Sequence, residues 1–256
     1  MLLAVDVGNT HITLGIYQEE RQICHWRIST NRKKTADEYG ILLRQLFATQ
    51  NYDLTIIDAV ALSSVVPPLT SSLVKMSVDC FGIKPLVIGP GIKTGMPIRF
   101  DNPKEVGADR IVNGVAAFHK YGGPVIVVDL GTATTFDVIS GKGEYLGGAI
   151  APGVGISTDA RCSYAAKLPR GELLKPPQVI GKNTVNCMQS GIMYGLMGQV
   201  EGIVARMKKE IQGQVRVVAT GGYAYLFEGE AGIVDQVDPF LTLEGLRLIH
   251  DMNKEL

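Results

Sequence analysis

The chain repeats itself at half its length. Residues 2–17 read LLAVDVGNTHITLGIY and residues 125–140 read VIVVDLGTATTFDVIS. Each is an apolar run that delivers an Asp, one apolar residue and a Gly into a group of small hydroxyl or amide residues. Asp6 and Asp129 lie 123 positions apart in a chain of 256. Behind each run comes a second alternating segment, at 12–17 and 135–139, and then a third, at 22–28 and 143–150. Alternation at period two marks strands with one buried face, so each half is expected to open with three consecutive strands. A unit of this size occurring twice constrains the fold to two lobes of one architecture, expected at residues 1–118 and 119–256.

The rest of each half alternates helix and strand. Tyr39, Leu42, Leu43, Leu46 and Phe47 form a helical stripe within 35–50. Residues 53–66 are rich in β-branched side chains and predict a buried strand, halted by Pro67-Pro68. Residues 69–81 read as helix and 85–88 as a short strand. Asn102-Pro103-Lys104-Glu105 offers a cap, a Pro for the first helical position and a Glu at cap plus three, which predicts one helix from there to about Tyr121. Strand-strand-strand-helix-strand-helix-strand, twice, is an α/β fold with a mixed five-stranded sheet flanked by helices in each lobe.

The two Asp-x-Gly turns are where chemistry can sit. A buried strand ending in such a turn sets a carboxylate beside free backbone N–H groups. The small residues add hydroxyl and amide donors, a setting for phosphate oxygens and a hydrated Mg²⁺. The same tetrapeptide also makes an ordinary hairpin turn. Its appearance twice at half-chain spacing favours the ligand-binding reading.

Charge and cysteine usage narrow the class. Lys plus Arg number 25 and Asp plus Glu number 25, so there is no basic excess to offset nucleic-acid phosphates. Cys24, Cys80, Cys162 and Cys187 have neither metal-ligand nor disulfide-framework spacing, which fits reduced thiols in a cytoplasm. No run reaches the ~18 apolar residues of a membrane helix, and the start of the sequence has no basic export signal, so neither membrane nor secretion is expected.

DVGNTHIT at 6–13 and DLGTATT at 129–135 resemble the two phosphate motifs of the actin-like ATPase superfamily, whose duplicated, ribonuclease H-like lobes close on ATP and Mg²⁺; Thr220-Gly221-Gly222 resembles its adenosine-contacting segment. With FDNPKEVGADRIVN at 100–113 and GGAIAPGV at 147–154, nearly the whole chain resembles type III pantothenate kinase. The resemblance implies ATP-dependent phosphorylation of pantothenate at its terminal hydroxyl, to 4'-phosphopantothenate, the first step towards coenzyme A. It implies ATP-phosphate contacts from Asp6, Val7, Gly8, Asn9, Thr10, His11, Ile12, Thr13 and Thr132, with Mg²⁺ held by Asp6 through water. It implies K⁺ or NH₄⁺ at Asp129, pantothenate contacts from Phe100, Gly107, Ala108, Asp109, Arg110 and Thr184, and Asp109 as catalytic base. Phe100 stands where the family often has Tyr, so a phenol hydrogen bond is missing there. The resemblance also implies a cytoplasmic homodimer with shared active sites, Thr184 reaching across.

The residues themselves speak to some of these roles. On a helix begun at Asn102, Glu105, Asp109 and Asn113 share one polar face at i, i+4 and i+8. Taken alone, Asp109–Arg110 there would also fit a solvated charge pair. A carboxylate in a partly closed site can accept a hydroxyl proton during phosphoryl transfer, and Arg110 suits an anionic carboxylate or phosphate. His11 reads as a turn residue rather than an acid. Along the helix expected at about 184–211, Gly191, Gly195, Gly198 and Gly202 fall on one face. Each weakens a helix by about 1 kcal/mol relative to Ala, an expense that close approach of another helix, from this chain or a second copy, offsets. Arg161 and Gly171 stand where the family pattern has apolar residues. Other readings are a different small-molecule kinase of the superfamily, or a nucleotide-binding regulator without kinase activity.

Overall fold

Strand β1 (Leu2–Val7) carries Asp6 into the first turn and β2 (His11–Gln18) returns from it. Leu3, Val5 and Val7 alternate onto one buried face with Ile12, Leu14 and Ile16. The two-residue period therefore puts Asp6 and its cross-strand neighbour Thr13 on the other face. β3 (Arg21–Ser29) pairs antiparallel with β2, while β4 (Ala59–Ser64) and β5 (Leu86–Val87) add in parallel beyond β1. The sheet order is β3-β2-β1-β4-β5. Helix α1 (Ala36–Thr49) supplies Tyr39, Leu43 and Phe47 to the core and α2 (Pro67–Phe81) supplies Leu69, Leu73 and Met76. Thr35 and Glu38 close a capping box at the start of α1, an arrangement worth about 1 kcal/mol.

The second half repeats the plan. β6 (Val125–Leu130), β7 (Ala133–Ile139), β8 (Tyr145–Pro152), β9 (Arg216–Thr220) and β10 (Gln236–Val237) take the order β10-β9-β6-β7-β8. The expected duplication of a mixed five-stranded sheet is what the chain forms. With α3 (Ala108–Tyr121) between the halves, α4 (Thr184–Glu210) packs Met193, Leu196 and Val200 onto Val128, Leu130 and Phe136. Among the described residues a 3-10 turn, Ala224–Phe227, stands between β9 and β10 where the sequence pattern predicts a helix.

This computed structural model describes residues 1–155, 176, 178–230 and 232–254. Its two units are Met1–Met96 with Asp101–Ala116 and Leu241–Leu256, and Pro97–Phe100 with Ala117–Phe240. These differ from a cut between residues 118 and 119 because the final helix, α5 (Leu241–Asn253), buries Leu241, Leu243, Leu246 and Ile249 within the first unit. Leu243 lies against Gly15 of β2, and Gly245, lacking a side chain, lies against the Val112 carbonyl of α3. Other boundaries also shift. The stretch 53–66 begins with a 3-10 turn (Leu54–Ile56) capped by the Asp53 carboxylate, and only Ala59–Ser64 is strand. Pro67-Pro68 starts α2 instead of merely ending β4, since Pro suits the first turn of a helix. Arg161, Cys162 and Gly171 lie outside the described residues.

Candidate active site

The first Asp-x-Gly turn is held from two sides. The Gly8 N–H donates to the His11 carbonyl at 2.9 Å, and a Cβ at Gly8 would come within 3.1 Å of that oxygen. From the end of β3, the Thr30 N–H donates to the Thr10 carbonyl at 2.9 Å and the Thr30 hydroxyl to the Gly8 carbonyl at 2.7 Å. Asn9 and Thr10 are left exposed at the tip. Asp6 is half-buried, in register with Thr13 on β2 and with Ser63 on β4. The Ser63 hydroxyl is buried without a hydrogen-bond partner among the described residues. His11 Nδ1 accepts from the Arg27 guanidinium at 2.9 Å. Burial, and secondarily the Arg27 charge, push the His11 pKa down, so the ring is a neutral acceptor, in keeping with a turn residue.

The second turn is built alike and is one residue shorter: Gly131 N–H donates to the Ala133 carbonyl at 3.1 Å. Asp129 is in register with Thr135 and Thr220, repeating the hydroxyl–carboxylate–hydroxyl row of the first unit. Thr220 Oγ1 is buried without a partner among the described residues. Gly221, at φ +90, lies directly against the Asp129 carboxylate, where any side chain would collide. Gly153, equally without room for a Cβ, rests on the half-buried Thr132 backbone.

A residue to which the motifs gave no role ties this unit together. Asp137 is fully buried, accepting from the Tyr145 hydroxyl at 2.8 Å and the Thr135 hydroxyl at 3.0 Å. The Tyr145 ring lies 6.3 Å from that of Phe100, which also covers Gly147. Asp137 thus links the neighbour of Asp129 to the aromatic at position 100. Its sequence signal was the period-two spacing of 135 and 137 on one strand face.

The segment carrying Asp109 departs from expectation. Asn102 caps only a 3-10 turn, Pro103–Glu105, Val106 is extended, and α3 begins at Ala108. Asp109 is therefore in the first helical turn, not the second, and Glu105 does not share its helix. Glu105 instead accepts from the Asn102 side chain at 2.7 Å. The Asp109 Oδ1 folds back to accept the Arg110 N–H at 2.8 Å, over Gly107, where a Cβ would stand 2.5 Å away. Burial pushes the Asp109 carboxyl above its ordinary pKa, against the opposing pull of the Arg110 N–H and guanidinium. Arg110 is only 8% exposed and Asn113 1%, so a solvated surface pair is excluded. Asn113 accepts from Thr242 of α5 at 2.7 Å, fixing the helix one turn beyond the carboxylate.

Of the residues singled out, Asp6–Thr13 and Gly107–Arg110 belong to the first unit, and Phe100, Asp129, Thr132 and Thr184 to the second. Thr184 opens α4 exposed, and its hydroxyl makes no hydrogen bond among the described residues. A methyl added at Gly195 or Gly198 would meet nothing within 4 Å among the described residues, and both glycines are exposed. Among the described residues no group of three or more His, Cys, Asp or Glu is placed to hold a metal ion. Each Asp, with orphaned or adjacent hydroxyls in register, fits a cation that takes one carboxylate and fills its remaining sites with neutral oxygens, water or phosphate.

The sequence model of the type III pantothenate kinase family matches residues 2–206. This chain belongs to that family. It is 64% identical over 253 residues to the type III pantothenate kinase of Moorella thermoacetica, covering 99% of this chain and 100% of that protein. To the type III pantothenate kinase of Myxococcus xanthus it is 56% identical, covering 99% of each. Among solved structures it resembles the activator of 2-hydroxyisocaproyl-CoA dehydratase from Clostridium difficile with bound ADPNP (TM-score 0.57, 13% identity, 100% of this chain and 97% of that one). It also resembles the ROK hexokinase of Thermus thermophilus (TM-score 0.55, 13% identity, 100% and 99%). At such identities the likeness concerns the fold, that of the actin-like ATPases, and the two lobes of this type III pantothenate kinase follow it.

Proposed function

We propose that this type III pantothenate kinase transfers the γ-phosphoryl group of ATP to the terminal hydroxyl of pantothenate, giving ADP and 4'-phosphopantothenate, and so opens coenzyme A synthesis. The observation that carries this reading is the Asp109 carboxyl at the start of α3, half-buried and raised in proton affinity within Gly107-Ala108-Asp109-Arg110. As the substrate oxygen bonds to phosphorus and the bond to the ADP oxygen breaks, Asp109 accepts the hydroxyl proton. Its Oδ1 is anchored by the Arg110 N–H, so the carboxylate is oriented before substrate arrives. A raised pKa brings a base closer to working pH, which strengthens its pull on the proton. Arg110, held in place by burial, is suited to the pantothenate carboxylate, and Phe100, braced by Tyr145, to its apolar body.

The turn at residues 6–13 cradles the ATP phosphates, with Thr132 as a further contact. Asp6 is the residue to hold Mg²⁺ through water, and Asp129 to hold K⁺ or NH₄⁺; when bound, these cations neutralise phosphate charge. Phosphoryl transfer needs little else from a protein than such positioning. The exposed Thr184, Gly195 and Gly198 support a homodimer in which Thr184 completes the partner's site. Among the described residues no helix is long and apolar enough to cross a membrane, and a cytoplasm, with its ATP and K⁺, is the setting we assign. Mass spectrometry of the products after incubation with ATP and an equimolar mixture of pantothenate, glucose and acetate tests the acceptor. Phosphopantothenate alone is expected; a phosphorylated sugar or acyl phosphate in its place would refute it.

A further inference from the structure

With residues 6–13 read as the phosphate cradle, we propose that Arg27 and Arg32 form its second wall, two guanidinium groups held by the turn's own side chains to bind the polyphosphate of a nucleoside triphosphate. Arg27 stands opposite Thr13, and Thr13 opposite Asp6. The row crosses three strands of one sheet face, about 10 Å between its ends at ~4.8 Å per strand, within reach of an arginine side chain and a phosphate chain together. From this row Arg27 reaches diagonally to His11 Nδ1 at 2.9 Å. Arg32, three residues beyond β3, donates to Asn9 Oδ1 at 2.8 Å. Both acceptors lie in the turn itself, and both are uncharged.

That choice of acceptor matters. An arginine paired with a carboxylate has its charge neutralised, whereas one bonded to an imidazole nitrogen or an amide oxygen keeps it. Among the described residues neither Arg27 nor Arg32 forms an ion pair with a carboxylate. A guanidinium has five N–H donors in a fork that matches phosphate oxygens, and each contact to the turn uses one. The segment 27–34, RISTNRKK, holds four cations in a chain of zero formal net charge, so the excess is local to this turn. The fold does not require it: the position equivalent to Arg27 in the second unit, opposite Thr135, is Ile150.

Calorimetric titration of the full-length protein with Mg²⁺-ATP, tripolyphosphate, adenosine and pantothenate, at two or more salt concentrations, tests this. Arg27→Ala and Arg32→Ala are each expected to weaken ATP and tripolyphosphate binding about tenfold while adenosine binding and Tm stay at the wild-type values. The dependence of log Kd on log salt should become shallower, since fewer charges are engaged. His11→Ala, which releases Arg27 without removing its charge, should produce a smaller loss of the same kind, and Arg27→Lys a partial recovery. Asp6→Asn serves as the test of the cradle itself. If Asp6→Asn weakens Mg²⁺-ATP and the arginine variants bind ATP and tripolyphosphate within twofold of wild type, the cradle stands and the second wall is overturned. A loss confined to pantothenate overturns it too, reassigning the arginines to a carboxylate. If Asp6→Asn binds Mg²⁺-ATP like wild type, the cradle reading fails and the second wall with it.

Discussion

In the first unit a row of four side chains crosses the sheet from β4 to β3: Ser63, Asp6, Thr13 and Arg27. The second unit repeats it from β9 to β8 as Thr220, Asp129, Thr135 and Ile150. Three positions agree in kind, a carboxylate between two hydroxyls. The fourth is a guanidinium bonded to His11 in one and an isoleucine 66% exposed in the other. The turns differ as well, the first a residue longer and tipped by Asn9 and Thr10. Register and burial dictate the inner three positions, because the apolar alternation that fills each core leaves the same strand faces for Asp and hydroxyl. The rim is under no such constraint. There the first unit has acquired positive charge, suited to a polyanion, while the second presents an Asp enclosed by Gly221, Thr220 and Thr135, suited to one cation.

The largest effect should come from the residue outside both rows. Asp109→Asn is expected to lower kcat by about 10²–10⁴-fold, the usual contribution of a general base, with the Kd of Mg²⁺-ATP unchanged. Near-normal kcat would remove Asp109 from the chemistry. Next in size is the separation of the two carboxylates. Asp6→Asn should raise the ATP KM at any salt, roughly tenfold or more, as lost charge-assisted contacts do. Asp129→Asn should abolish the gain in activity and in Tm that K⁺ gives over Na⁺. Should either variant show the other's phenotype, the division between the rows would break.

The glycines give a smaller, sharper contrast. Gly221→Ala sets a methyl into the Asp129 carboxylate at φ +90, and should destabilise by about 1–3 kcal/mol in thermal melts with loss of the K⁺ response. Gly8→Ala, needing the His11 carbonyl to yield only a few tenths of an ångström from 3.1 Å, should stay under about 1 kcal/mol. Equal effects would mean that the second turn is no tighter than the first.

The smallest effect is linked to pH. The folded state raises the Asp109 pKa, so it binds that proton more tightly than the unfolded chain. This contribution to stability is complete below the unfolded value of about 3.9 and is lost as pH rises through the folded pKa. Asp109→Asn, which cannot ionise, should therefore melt higher than wild type at neutral pH. The gap should close as the pH is lowered towards 4, and kcat/KM of the wild type should fall over the same range. A variant melting lower at neutral pH would contradict the direction of the shift.

Much of this was legible in the residues. Repetition of Asp-x-Gly after an apolar strand marked both turns, both sheets and both carboxylates, because period-two burial is a strong local signal. The start of α3 was not: Asn102-Pro103-Lys104-Glu105 has every mark of a helix cap, yet Gly107 and an extended Val106 break the chain so that Asp109 can fold back over its own helix start. The final helix could not be assigned to the first unit either, since its packing partners, Gly15 and Val112, are remote in sequence. Asp137, Arg27 and Arg32 escaped for a related reason. Their significance lies in cross-strand register and in the acceptors they meet, which no single-strand pattern records.

The most direct test of the whole account is a coupled ADP-release assay with ATP, Mg²⁺ and pantothenate, run in K⁺ and in Na⁺ for the wild type and Asp129→Asn. The account predicts pantothenate-dependent release that K⁺ strongly stimulates in the wild type and does not stimulate in the variant. Release without pantothenate, or equal pantothenate-dependent rates in both salts for the wild type, would contradict it.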